Sequence, residues 1–210
     1  MAKTIKAVTA AQLAQVGKMA AEKGVGKDAF QQHGLDDGTL ARVLDQIKND
    51  HVLTQLSPLP GGRLHIVRVQ VDRSRDWREA INVAGPDTPA DSTVCKVGDL
   101  YPSAAAKGEE ELILLNFPEG GSWEKACDWA DQSGLVRTHP RQVFATGEHS
   151  PNFHRELGLS LMYVVATTEC TFEGGRQACY VRWDGLGRET GLGWLEGFGD
   201  ASDWFAFRRK

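Results

Sequence analysis

LMYVVATTECTFEGGRQACYVRWD, residues 161–184, decides how this chain folds. Two runs rich in β-branched and aromatic residues flank a pair of glycines, which is the composition of a β-hairpin. Taking Gly174 and Gly175 as the two central turn residues, both suited to positive φ, sets Glu173 opposite Arg176, Cys170 opposite Cys179, Thr167 opposite Arg182 and Ala166 opposite Trp183. In that register Met162, Val164, Ala166, Cys170, Phe172, Cys179, Val181 and Trp183 share one face. Tyr163, Thr167, Glu169, Thr171, Tyr180, Arg182 and Asp184 share the other. A half-buried antiparallel sheet needs one apolar and one polar face, and a slip of one residue would exchange them. RETGLGWLEGF (188–198) and DWFAFRR (203–209) extend the same sheet.

Upstream, strand and helix patterns alternate. RLHIVRVQV (63–71) has the period of a strand, with His65, Val67, Val69 and Val71 on one face. DRSRDWREAINVAG (72–85) predicts a short helix capped by Ser74 or Asp76 and ended by Gly85. Residues 86–107 read as loop, with a short strand near Val94. ELILLNF (111–117) is almost continuously apolar, as a strand covered on both faces must be. Ser122 caps a further helix ending at Gly134, whose Trp123, Ala126, Cys127 and Ala130 form one face.

Residues 1–56 read as helical. A first helix runs from Thr9 to about Lys23, and a second starts at Asp36 or Asp37 and carries Leu40, Val43, Leu44, Ile47 and Val52 at helical spacing. SPLPGG (57–62) breaks this pattern. The expected fold is therefore α+β: an N-terminal helical segment over 1–60, then a domain over 61–210 with two strand–helix units and a C-terminal antiparallel sheet.

With 210 residues, 41% hydrophobic and 25% charged, the chain is ordinary for a globular protein. A net charge of −4 disfavours a general nucleic-acid footprint. No apolar run is long enough to span a bilayer, and the start has no signal-peptide pattern, so a cytoplasmic setting with reduced thiols is expected for the four cysteines.

The densest group of candidate chemistry is THPRQVFATGEHSPNFH (138–154), which holds His139, Glu148, His149 and His154. Pro151 and the five-residue spacing from His149 to His154 rule out a shared helix face of the HExxH kind. What the pattern predicts is a loop-rich connection, with these four residues as catalytic candidates and no metal or cofactor set; the competing use is a turn followed by polar capping, in which Ser150, Asn152 or the histidines bond local backbone. The register above opposes Cys170 and Cys179 at a separation a disulfide can bridge; the alternatives are a redox pair and two small buried apolar residues. The glycine run DGLGRETGLGWLEGFG (184–199) lacks the dinucleotide spacing and any following GK[ST]. Arg63, Arg68, Arg73, Arg75 and Arg78 crowd one strand–helix unit, while Arg208, Arg209 and Lys210 close the chain. From these and the sheet, Arg68, Arg73, Arg75 and Arg182 are the anion-binding candidates. The competing use is pairing with Asp72, Asp76 and Glu79 on a solvated face.

From about His65 onward the order of HIVRVQVDRSR, SWEKACDWADQSGLV, EHSPNFH, QACYVRW and DWFAFRRK resembles a family of small bacterial and phage-type hypothetical proteins, a domain of unknown function. The resemblance implies a shared α+β unit over about 65–210, and brings no activity or ligand with it.

On these grounds the expected function is a non-enzymatic binding or accessory module for a protein partner, or a homo-oligomer, engaged through helices 9–56. An enzyme, hydrolase or transferase, acting on an anionic substrate through the histidines and Glu148 with one or more of Arg68, Arg73 and Arg182 is the alternative. A nucleotide or nucleic-acid binder using the arginines with Tyr163, Tyr180 and the polar sheet face is the third.

Overall fold

The computed structural model describes residues 61–87, 89–101 and 107–209, together with Lys18 and Leu56. Apart from Lys18 and Leu56, the helices expected over 9–56 and the break at 57–60 lie outside the described residues.

Among the described residues eight strands form one mixed sheet: β1 (Arg63–Asp72), β2 (Lys107–Asn116), β3 (Val136–Arg137), β4 (Met162–Val165), β5 (Cys170–Phe172), β6 (Gly175–Asp184), β7 (Gly187–Trp194) and β8 (Asp203–Arg208). Four helices accompany them: α1 (Trp77–Ala84), α2 (Trp123–Gln132), α3 (Pro140–His149) and α4 (Phe153–Glu156). The class is α+β. β1 pairs β2 and β2 pairs β8, both antiparallel. The far edge of β8 is shared: β3 pairs Arg208 and Phe207, and β4 runs parallel to Asp203–Phe205. β4 and then β5 pair one edge of β6, and β7 pairs its other edge. No described helix is long and apolar enough to cross a membrane.

The hairpin keeps its faces and changes its register. The two turn residues are Glu173 (φ 49°) and Gly174 (φ 85°), so Phe172 pairs with Gly175 and Cys170 with Gln177. Gly175 belongs to β6, where the Trp194 ring lies on its α-carbon; a Cβ there would fall 1.8 Å from a ring atom. A packing demand thus consumes the glycine that the turn alone would have claimed. Farther along, Val165 pairs with Tyr180 and Met162 with Trp183, so residues 166–169 oppose only Ala178 and Cys179 and form a bulge. Both displacements are even, which leaves every side chain on its face. Met162, Val164, Ala166, Cys170, Cys179, Val181 and Trp183 lie in the buried core, with Phe172 packed against it.

The bulge lets the chain change neighbours. Ala166 N–H donates to Cys179 O (2.9 Å), while Ala166 O accepts from the Trp123 indole (3.1 Å). Thr167 then meets Thr138 where β3 and β4 divide the edge of β8. Both hydroxyls donate to Ala206 O, at 2.6 Å from Thr167 and 2.8 Å from Thr138, and Thr138 N–H donates to Thr167 Oγ1 (2.9 Å). Two threonines with no exposed surface thereby satisfy a carbonyl and an amide that the broken ladder would orphan.

From Leu112 to Asn116 β2 is buried on both faces, which explains the unbroken apolar run there. Leu112 and Leu114 join the core beneath α1 and α3 with Trp204 and Ala206. Ile113 and Leu115 point the other way, with Phe205 and Phe207. There Phe117 meets Phe205 (ring centroids 6.1 Å apart) and Trp129 of α2 meets Phe207 (6.4 Å). Each such fully buried side chain contributes about 1.5–3 kcal/mol. The helix starts follow local chemistry: Asp76 accepts from Glu79 N–H (2.8 Å) and Ser122 from Lys125 N–H (3.1 Å). Near Val94 the expected short strand is replaced by a 3-10 turn, Val94–Lys96, whose Val94 carbonyl accepts from the Trp77 indole (2.7 Å).

Candidate functional site

The histidine stretch is a helix, which corrects the expected loop. α3 is buried at every position from Pro140 to Gly147, so it carries no polar stripe by which periodicity would have revealed it. Its signal is a cap: His139 Nδ1 accepts from Arg141 N–H (3.2 Å), and Gln142 Oε1 accepts from His139 N–H (2.7 Å), with proline at the first helical position. This is the reciprocal logic of a capping box with histidine in place of serine or threonine. The helix stops at His149, with Ser150 at its C-cap just ahead of Pro151.

The four catalytic candidates consequently do not converge, although Glu148 Oε2 lies 4.0 Å from the Nδ1 of its neighbour His149. His139 and His149 sit at opposite ends of α3, separated by about 15 Å at 1.5 Å per residue. His149 Nδ1 lies 3.0 Å from Ala145 O and donates to it. Glu148 binds Arg75 (2.7 Å). His154, on α4, is 5% exposed, and its Nδ1 is sealed with no hydrogen-bond partner. Burial holds the imidazoles of His139 and His154 below their ordinary pKa, with nearby arginines adding to the effect. Among the described residues no group of three or more His, Cys, Asp or Glu side chains is arranged to hold a metal.

The cysteine pair is corrected with the register. Cys170 faces Gln177, which makes Cys179 its diagonal neighbour, about 7–8 Å away in a regular sheet and at the limit of what a disulfide bridges without backbone movement. Both thiols are free and buried. Burial pushes both upward in pKa. The Tyr101 hydroxyl is buried close to them, is itself pushed far up by burial, and makes no hydrogen bond of ordinary geometry.

The four anion-binding candidates do not form one site. Arg75 reaches Glu148 (2.7 Å) and lies near Asp72 (3.8 Å) and Glu79 (3.9 Å). Arg182 sits between Asp184 and Glu189, 2.9 Å from each. Arg68 lies 3.8 Å from Glu111. Arg73, however, opens onto a cleft of about 390 Å³ lined by Glu110, Glu111, Arg208 and Arg209 as well. The sheet builds it: β1 ends and β2 begins beside Arg73 and Glu110, and β8 runs antiparallel to β2 until Arg208 pairs Leu112. One arginine of the first cluster, Arg73, thus meets Arg208 and Arg209 of the second, although about 130 residues separate them.

Glu110 is held from two sides, by Arg73 (2.6 Å) and by the Gln142 amide. Arg209 lies 3.9 Å from Glu111. Arg73 and Glu110 are each 24% exposed, and partly solvated pairs of this kind contribute about 0–1 kcal/mol. Among the described residues that line the cleft, three guanidinium groups face two carboxylates, a positive balance that favours an incoming carboxylate or phosphate. Gln142 links this cleft to the α3 cap. One residue before it, Arg141 is 8% exposed, donates to Arg75 O (2.6 Å) and lies over the Trp77 ring (5.6 Å).

A second cleft, about 320 Å³, lies beside the β6–β7 turn and includes His154, Arg155 and Arg188. The glycine run forms β7 and its flanking turns. Its end, with Gly120 and Gly121, borders a third and more open cleft of about 440 Å³ whose charged groups, among the described residues, are Glu196 and Asp200. No family model, no curated protein and no solved structure matches the chain, so function is read from geometry.

Proposed function

We propose that the chain is a non-enzymatic binding module that holds an acidic segment of a partner protein in the Arg73–Arg208–Arg209 cleft. The observation that supports this most is the convergence of Arg73 with Arg208 and Arg209 around one concavity. The placing of His139 and His149 at opposite ends of one helix, with Glu148 held by Arg75 and His154 in a different cleft, weighs against a hydrolase or transferase, because acid–base chemistry needs its groups within hydrogen-bond reach of one reacting atom. The net charge of −4 and the neutralisation of Arg182 by Asp184 and Glu189 weigh against a nucleotide or nucleic-acid surface. Homo-oligomer formation through helices 9–56 would use a segment outside the described residues, and the likeness to bacterial and phage-type proteins over 65–210 stays part of this reading.

Fluorescence anisotropy with a labelled glutamate-rich peptide, and with its glutamine counterpart as control, tests the proposal. The acidic peptide should bind, lose affinity as salt rises, and bind about tenfold more weakly to the Arg208→Gln/Arg209→Gln variant, as expected for lost charge-assisted bonds. Equal affinity for the glutamine peptide, or an unaffected double variant with a native circular-dichroism spectrum, would refute it.

A further inference from the structure

The cleft beside the β6–β7 turn has an uneven supply of hydrogen-bonding groups. Three of the four oxygens of its two carboxylates are already engaged by protein donors. Asp87 Oδ2 accepts from the Arg188 backbone N–H (3.0 Å) and from Arg188 Nε (2.8 Å). Asp184 Oδ1 accepts from Leu186 N–H (2.7 Å) and Gly187 N–H (3.1 Å), and its Oδ2 meets Arg182 Nη2 at 2.9 Å. A cation entering here would find few acceptors to replace its water.

The donors are in surplus. Arg188 spends Nε on Asp87 and Nη1 on Gly147 O (2.6 Å), which fixes the plane of its guanidinium and leaves Nη2. Arg155 makes no ion pair among the described residues, and Asn152 contributes an amide to the same lining. His154 is 5% exposed and lines the cleft, yet its Nδ1 is sealed without a partner. A buried polar group left in that state is unfavourable. With Nδ1 sealed, the ring can act on the cleft only through Nε2. In the neutral tautomer that leaves Nδ1 as a bare lone pair, Nε2 carries the proton and is a donor.

We infer that this cleft is a binding site for a small oxyanion, a carboxylate or a phosphate, held between the guanidinium groups of Arg155 and Arg188 with His154 donating from Nε2. A planar fork already locked by two protein contacts loses little freedom on engaging an oxyanion, which suits arginine to this role. The site is independent of the Arg73–Arg208–Arg209 cleft, with which it shares no residue.

The test is a titration of the full-length protein, labelled at histidine and backbone nitrogen, with sodium phosphate, sodium acetate or sodium chloride at constant ionic strength. Saturable shifts of the His154 imidazole and of the Leu186 and Gly187 amides are expected with phosphate, acetate or both, and not with chloride. A response to phosphate alone assigns a phosphate-bearing ligand; a response to acetate extends the class to carboxylates. Arg155→Gln should weaken binding about tenfold, His154→Gln should weaken it with the backbone spectrum preserved, and Arg209→Gln should leave it unchanged. Shifts of equal size with chloride, no saturable shift with either oxyanion, or wild-type affinity in Arg155→Gln would each overturn the inference. The Arg209→Gln control separates failure here from failure of the acidic-peptide reading.

Discussion

The threonine junction at Ala206 yields an ordered prediction. Thr167→Val keeps shape and removes Oγ1, which donates to Ala206 O (2.6 Å) and accepts from Thr138 N–H (2.9 Å). Removing that donor costs about 1 kcal/mol, and the stranded, fully buried Thr138 amide adds about 1–3 kcal/mol, for a total of about 2–4 kcal/mol. Thr138→Val also removes a donor to this carbonyl (2.8 Å), but Ala206 O keeps its Thr167 hydroxyl. The amide it strands, Thr167 N–H, was bonded to Thr138 Oγ1 only weakly, at 3.4 Å. Its expected cost is about 1 kcal/mol. In the double variant Ala206 O has neither hydroxyl, so the two changes should be non-additive, as residues in one network are. Urea unfolding of the three variants with a common m-value measures this. A Thr138→Val cost equal to or above that of Thr167→Val, or strict additivity, would show the assignment of donors and acceptors to be wrong.

Three further outcomes follow from buried groups and close approaches. A Cβ on Gly147 would fall 2.3 Å from Ala84 O, a backbone atom; Gly147→Ala should therefore destabilise by more than about 2 kcal/mol in thermal unfolding, whereas helix propensity alone predicts a gain of up to about 1 kcal/mol. Burial holds His65, His139 and His154 below their ordinary pKa, so the unfolded chain takes up these protons first. Stability is complete above about pH 6.5 and is lost as pH falls from there toward the folded-state values; calorimetric Tm should decline over that window and decline less in His139→Asn, while a flat profile would contradict the burial of these rings. Burial pushes Cys127 up to about 12 and raises Cys170 and Cys179 as well; native protein should leave these three unlabelled by a disulfide reagent at mild alkaline pH and yield no Cys170–Cys179 disulfide by mass spectrometry, with full labelling in urea.

The division between sequence and tertiary control runs through particular residues. Side-chain alternation fixed which residues of 161–184 face the core, because the strand period is two and every even displacement preserves it. Ser122, and Asp76 as one of two choices with Ser74, were legible as caps because a cap bonds an amide only two or three residues away. Register was not legible: Gly175 is drawn into β6 by the Trp194 ring, and the 166–169 bulge exists because Thr167 and Ala166 have partners on β8 and α2. α3 escaped for the opposite reason to an exposed loop, since a helix buried on all sides shows no stripe, and its histidine cap is outside the usual serine, threonine and aspartate set.

The candidate sites divide in the same way. The sequence alone supplied the inventory, five arginines near β1 and two more at the end of β8, and the exclusion of a helical metal pair by Pro151. Only the tertiary structure decided that Arg73 meets Arg208 and Arg209 while Arg75 and Arg182 are taken by acids, and that His154 lines a cleft apart from His139 and His149. The physical reason is that faces and caps are set by interactions within a few residues, whereas convergence depends on which strands pair. Here that pairing, β8 with β2 on one edge and β3 and β4 on the other, is set by burial summed over the whole core.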